Sequence, residues 1–178
     1  ALEIVAPKYG TAYRMGGRLL LTCRHLFYNS NDCKVRFRSA SNYSDKQDID
    51  AQVIWKAPDN IDIALVKLPE TIETCNPVVF GVLPDANTTK KVKFDCLGFP
   101  LFLRYAEDEI KYATGLHIEG TIDVANRVPH HRLLLNIKDS QDIQPPDEQL
   151  ERLAEDQSPW QGTSGSAIVC YGLVIGVQ

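Results

Sequence analysis

Three short segments carry side chains suited to acid–base or nucleophilic chemistry. In Leu19-Leu-Leu-Thr-Cys-Arg-His25 an apolar run ends and a histidine sits where the chain leaves it. Imidazole titrates near neutrality, so it serves as general base and general acid in turn. A histidine at a strand end is equally a common structural residue, and taken alone His25 does not decide between the two. In Asp59-Asn-Ile-Asp62-Ile-Ala-Leu-Val-Lys-Leu68, Asp62 stands among apolar residues at the head of a strand expected to be largely buried. A carboxylate in such a place needs a hydrogen-bonding partner, and an imidazole N–H is one; a turn-capping role is the other reading. Asp59 is the more solvent-like competitor. In Ser158-Pro-Trp160-Gln161-Gly162-Thr-Ser164-Gly-Ser-Ala-Ile-Val a serine lies close to two glycines and ahead of a β-forming run. Glycines let a substrate approach the main chain, and the amides of Gly162 and Ser164 could point together to stabilise a developing oxyanion. A plain Gly/Ser turn between strands has the same composition.

The elements that must position these residues are mostly strands. Runs rich in Val, Ile, Leu, Tyr and Phe, bounded by Gly, Pro, Asn and Asp, occur at Thr11–Met15, Arg18–Thr22, Lys34–Arg38, Ala51–Trp55, Ile61–Leu68, Lys91–Leu97, Tyr112–Glu119, Arg132–Ile137, Ser166–Cys170 and Leu173–Val177. Gly16-Gly17 reads as a tight hairpin turn. One segment, Asp147–Glu155, reads as a helix, with Pro145 and Pro146 ahead of it and Asp147 as its cap. Many short strands and one short helix predict an all-β chain built as a sandwich or a pair of barrels, not alternating βα units.

Composition narrows the function classes. The chain has 178 residues, 19 Lys+Arg against 23 Asp+Glu, and is 44% apolar, which is enough for a packed core. No apolar run is long enough for a transmembrane helix, so no membrane partner is expected. A mildly acidic chain without a basic block argues against nucleic acid as a partner. Residues 139–157 hold seven acidic residues and one base, Arg152, which reads as a solvated surface loop or as a device of access to the neighbouring serine segment. The five cysteines, Cys23, Cys33, Cys75, Cys96 and Cys170, form no CxxC pair. A metal knuckle is therefore not expected, and scattered thiols in odd number fit a reducing, cytoplasmic compartment. His117, His130 and His131 have no ligand-like spacing and are expected at the surface. No cofactor and no metal are implied.

The order His, Asp, Ser removes two alternatives. An α/β-hydrolase nucleophile elbow leads into a helix, whereas SAIVCYGLVIGV after Ser164 is β-forming. Hydrolase and subtilisin orders also differ from this one. Taken together, the segments resemble those of the trypsin/chymotrypsin-like serine peptidases. LLTCRH resembles the family's LTAAH segment, Asp62-Ile-Ala-Leu-Val its DIALL segment, and Gly162-Thr-Ser164-Gly-Ser-Ala its GDSGGP loop. Gly10-Thr-Ala-Tyr-Arg resembles the GSGF strand of bacterial and intracellular members. The resemblance spans about residues 9 to 178.

It implies a chymotrypsin-like fold of two six-stranded antiparallel β-barrels with the active site in the cleft between them. Residues 1–78 would form the first barrel, carrying His25 and Asp62. Residues 79–178 would form the second, carrying Ser164 and incomplete at its C-terminal end, where further sequence is expected past Gln178. It also implies a serine endopeptidase: Ser164 attacks a peptide carbonyl to form an acyl-enzyme, His25 shuttles the proton, Asp62 holds the imidazole, and the amides of Gly162 and Ser164 form the oxyanion hole. The primary pocket would be lined by Ser158, Trp160 and Gln161, with neutral Ser158 at its floor. Thr163 stands where secreted members carry the Asp that receives a new N-terminus, and Leu26 where they carry a disulfide cysteine. Both departures point to a bacterial, cytoplasmic type without zymogen cleavage, set within a regulatory, stress or defence system, with the 139–157 insert open to a regulatory partner. Two other readings stay in view: a catalytically inactive peptidase fold that binds a partner protein, and a cysteine enzyme using Cys23 or Cys170.

Overall fold

The computed structural model describes residues 1–37, 48–84, 91–107, 110–113, 115–124, 134–138, 145 and 158–178. The expected helix Asp147–Glu155, the remainder of the 139–157 insert apart from Pro145, and His130-His131 lie outside the described residues.

Six strands make the first half: β1 (Leu2–Ala6), β2 (Gly10–Gly16), β3 (Leu19–Thr22), β4 (Asp32–Phe37), β5 (Ile49–Lys56) and β6 (Ala64–Lys67). They close a barrel in the order β1-β2-β3-β6-β5-β4, every neighbouring pair antiparallel. Inward positions are apolar, with Leu2, Ile4, Leu20, Val35, Val66 and Leu68 almost fully buried. Burying one such side chain contributes on the order of 1.5–3 kcal/mol. Buried Glu3 lies near the Arg36 guanidinium, 4.0 Å away, and Arg36 in turn holds Asp48 at 2.6 Å.

The second half starts with β7 (Lys91–Gly98), followed by β8 (Arg104–Glu107), β9 (Ile110–Ala113), β10 (Leu116–Asp123), β11 (Leu135–Ile137), β12 (Ala167–Cys170) and β13 (Leu173–Val177). Strict alternation along β7 turns Val92, Phe94 and Cys96 inward. Its sheet runs β11-β10-β7-β12-β13, with β8 and β9 as a separate hairpin. The fold is therefore chymotrypsin-like, but among the described residues only the first barrel closes. Among the described residues, the second half is an open five-stranded sheet over its own core of Phe94, Ile118, Ile122 and Ile168. A third cluster, in which Leu21 of β3 meets Ala167 and Val174 of β12 and β13, joins the halves.

Most expected strands are present, with three differences. The run Tyr112–Glu119 is divided, since β9 pairs with β8 whereas β10 pairs with β7, and Gly115 lies at the break. The run Ile61–Leu68 is a strand only from Ala64, because the Ala57 amide bonds the Ile63 carbonyl and closes residues 58–63 into a loop. β1 and β8 were not expected. β1 carries a charged residue into a buried position, and Arg104–Glu107 contains no apolar run.

Candidate active site

His25 sits in a short 3-10 helix, Arg24–Phe27, entered directly from β3. The next two residues, Leu26 and Phe27, are 2% and 0% exposed. They plug the barrel end and fix the turn that presents the imidazole. Asp62 lies in the loop before β6, the strand paired with β3, so the two loops leave the same edge of the barrel. The carboxylate meets His25 twice: Oδ1 accepts the backbone N–H at 2.8 Å, and Oδ2 faces Nδ1 at 2.5 Å. Two contacts to one residue set both the position and the rotation of the ring. With Nδ1 on Asp62, Nε2 is the nitrogen left for a reacting group. Asp62 is less buried than its apolar neighbours imply, with its side chain 52% exposed, because it precedes the strand rather than heading it. Partial burial pushes its carboxyl up, but the hydrogen bonds and charge of His25, with the Cys23 thiol, outweigh this and hold it below the usual carboxylate value. Asp59 is bound instead by Arg24, away from the imidazole.

The Ser164 segment is held in place by its main chain. The Gln161 carbonyl accepts from the Leu101 amide at 2.7 Å. The Thr163 carbonyl accepts from the Ser166 amide at 3.0 Å and the Ser166 hydroxyl at 2.6 Å. In a trans peptide the N–H points opposite to the C=O. The Gly162 and Ser164 amides therefore point away from these anchors, and among the described residues no acceptor takes either of them. Gly162 has φ +101°, a conformation that favours glycine.

Thr11, at the start of β2, ties this segment to the first barrel. Its amide donates to the Ser164 carbonyl at 2.8 Å and its hydroxyl to the Gly162 carbonyl at 2.7 Å. The same hydroxyl accepts from the Phe99 amide, and the Thr22 hydroxyl donates to the Thr11 carbonyl at 2.6 Å. Gln178 adds a second tie: its carbonyl accepts from the Gly165 amide at 2.7 Å and from the Cys23 thiol at 3.0 Å. The structure thus brings His25 and Asp62 into direct contact and sets the Ser164 loop against the strands and the turn that carry them. Thr11 and Ser166 were missed as supports of the site. Both stood in the quoted segments, but their partners are remote in sequence or lie in the main chain, where side-chain type gives no signal.

The residues expected in the pocket form the turn before the loop. The Ser158 hydroxyl accepts from the Trp160 amide at 3.3 Å and its carbonyl from the Gln161 amide at 2.9 Å. Trp160 packs edge-to-face on Phe102 with ring centroids 5.2 Å apart. Thr163 is buried, its hydroxyl donating to the Trp160 carbonyl at 2.9 Å. Neither candidate cysteine has a nucleophile's environment. Burial, with the Asp62 charge, pushes the Cys23 thiol up to about 12, and burial also raises Cys170. His117 is exposed as expected. It does have acidic neighbours, Asp95 at 3.6 Å and Glu119 at 3.8 Å, which the β7–β10 register places beside it.

Similarity to known proteins agrees with this architecture. Among solved structures, the chain is similar to the Rv3671c protease of M. tuberculosis in an inactive form, with 19% identity over 99% of this chain and 75% of that one, and a TM-score of 0.61. It is similar to Deg5 at 18% identity, 99% and 76% coverage and a TM-score of 0.59. It is also similar to the HtrA-type protease AlgW with a tripeptide, at 16% identity, 99% and 48% coverage and a TM-score of 0.60. At these identities the likeness is one of fold. No curated protein matches the sequence. The family description "Trypsin" matches residues 8–178, which include His25, Asp62 and the whole Ser164 loop, and on that match the chain belongs to the trypsin family.

Proposed function

We propose that the chain is a serine endopeptidase in which Ser164 is the nucleophile, His25 the general base and acid, and Asp62 the group that orients His25. The observation that carries this reading is the two-point grip of Asp62 on His25 beside a loop whose amides point away from their anchors. The hydroxyl of Ser164 loses its proton to Nε2 as its oxygen attacks the peptide carbonyl, and the carbonyl oxygen becomes an oxyanion received by the amides of Gly162 and Ser164. Collapse of that intermediate expels the amine, which takes the proton from Nε2, and water then releases the acyl group by the same route. Each oxyanion donor of this kind is worth about 3 kcal/mol of transition-state stabilisation.

Substrates on this reading are proteins or peptides. A neutral Ser158 at the floor of the primary pocket, with Trp160 and Gln161 beside it, disfavours a requirement for Lys or Arg. Thr163, with its hydroxyl satisfied inside the loop, gives a new N-terminal ammonium nothing to pair with. Activation by chain cleavage is therefore absent from the proposal, and control falls to a partner or a further domain, with the acidic 139–157 segment as the docking element. The odd number of scattered thiols supports a reducing, cytoplasmic compartment, and Thr163 and Leu26, where secreted members carry Asp and Cys, support a bacterial type.

A serine-directed fluorophosphonate tests the reading. Labelling of the native chain that is lost in Ser164→Ala is the expected result. A native chain that is never labelled overturns it and favours the partner-binding module.

A further inference from the structure

Cys23, His25 and Asp62 form one cluster. The Cys23 sulfur, a ring nitrogen of His25 and a carboxylate oxygen of Asp62 all lie within 4.8 Å of one another. Tetrahedral zinc with Zn–S of about 2.3 Å and Zn–N of about 2.0 Å spaces its ligand atoms roughly 3.3–3.6 Å apart, so small side-chain movements bring the three into register. Nδ1 is the ring nitrogen that faces Asp62. The three sides of the cluster differ in a useful way. The side chains of His25 and Asp62 are 41% and 52% exposed, which gives an ion a way in, whereas Cys23 is 2% exposed and closes the inner end. One thiolate, one imidazole and one carboxylate make a donor set for a borderline-soft divalent ion, and not for calcium or magnesium, which take oxygen ligands.

We propose that Cys23 Sγ, His25 Nδ1 and an Asp62 carboxylate oxygen bind a zinc-class divalent cation (Zn²⁺, Co²⁺ or Cd²⁺), and that the bound ion switches the His–Asp pair off. On binding, the Cys23 thiol gives up its hydrogen bond to the Gln178 carbonyl and loses its proton to solvent, and the fourth position of the ion is left to water. The metal takes the place of the Nδ1 proton, and the neutral imidazole then carries its single proton on Nε2. That tautomer presents a donor where the mechanism needs an acceptor, so it cannot take a proton from Ser164. Inhibition therefore does not depend on the substrate pocket. Binding rests only on the geometry of the three side chains, whereas the inhibitory consequence rests on the peptidase reading above.

The test is to titrate Co²⁺ into the reduced full-length chain and follow the sulfur-to-cobalt charge-transfer band in the near ultraviolet. One Co²⁺ per chain with the band present, its loss in Cys23→Ala, and weaker binding in Asp62→Asn are expected, with the band kept in Cys75→Ala. Absence of the band in the native chain, its survival in Cys23→Ala, or unchanged affinity in Asp62→Asn overturns the site. Asp62→Asn conserves shape at a half-exposed side chain, so it decides the matter even if Cys23→Ala folds poorly. In parallel, Zn²⁺ should suppress fluorophosphonate labelling of the native chain and a chelator should restore it. Labelling that Zn²⁺ leaves untouched, in a chain that shows the cobalt band, overturns the switch. A chain that shows the band but is never labelled identifies the peptidase reading as the part that failed.

Discussion

At the scale of single residues, the arrangement of Asp62 fixes what its replacement does. With its one carbonyl oxygen accepting the His25 amide, Asn in its place turns its NH₂ toward Nδ1, makes Nδ1 an acceptor and so favours the opposite tautomer, with the proton on Nε2. On the proposed mechanism Asp62→Asn lowers kcat about 10⁴-fold, measured with any peptide substrate the chain accepts, while the far-ultraviolet spectrum stays native. A fall of less than about tenfold separates Asp62 from the chemistry. The carboxyl is held below its ordinary value by His25, so the stability it adds is present above the usual carboxylate range and is lost as pH falls through its lowered folded-state value. The native chain and Asp62→Asn therefore converge in denaturant midpoint as acid is added. His25, Asp62 and Ser164 stand out in the sequence as candidates because an imidazole and a carboxylate are chemically uncommon beside apolar runs and the order of the three along the chain is informative. Cys23 was legible only as a thiol. Its neighbour Asp62 lies 39 positions further along the sequence, and no short-range spacing reveals a group of that kind.

At the scale of elements, the strands were legible and their supports were not. Alternation marked β7, and bounded apolar runs marked β2, β3, β12 and β13, because a half-buried strand leaves a two-residue period in the sequence. β1 left no such mark, since Glu3 is as deeply buried as Leu2 and Ile4 on either side of it. The division of Tyr112–Glu119 depends on which partner each part pairs with, a property of the sheet and not of the run. The contact between β2 and the serine loop is equally silent in the sequence, and it carries two predictions. A Cβ on Gly165 would stand 2.0 Å from the Thr11 carbonyl and 2.3 Å from the Thr22 hydroxyl, at φ +91°. Gly165→Ala should cost about 1–3 kcal/mol or more from overpacking and backbone strain, read from the urea midpoint, with loss of Ser164 labelling; a neutral effect contradicts this packing. Thr11→Val keeps the amide bond to Ser164 but removes the hydroxyl that serves Gly162 and Phe99. A loss of about 1–3 kcal/mol is expected for such a buried polar group, with Thr11→Ser restoring most of it.

At the scale of the whole molecule, the buried thiols tie stability to alkali. Burial pushes Cys23 and Cys33 up to about 12 and Cys96 up to about 11, from 9.0. The folded chain keeps these protons where the unfolded chain gives them up. Their contribution is therefore fully present below pH 9 and is lost as pH rises toward 11 to 12. Each thiol can add about 1 kcal/mol per pH unit to the slope in that window. Denaturant midpoints measured on either side of pH 9 should fall with pH, and Cys33→Ala should flatten the decline; an unchanged slope in Cys33→Ala removes that thiol from the account. The fold class was legible at this scale because strand density and the order of three motifs constrain it. Closure of the second half was not, because it depends on pairing that no local pattern encodes.

The hydrogen bond from Thr11 to Gly162 spans 151 positions. Contacts that close so long a loop form late, because the entropy of closure must be met before they contribute anything. During synthesis Thr11 is made long before the Ser164 loop, and the loop acquires its supports from Thr11 and Gln178 only after residues 162–178 have emerged. The candidate site is thus assembled late, and on the proposed mechanism a chain whose Ser164 loop is still unmade has no means of cutting its neighbours.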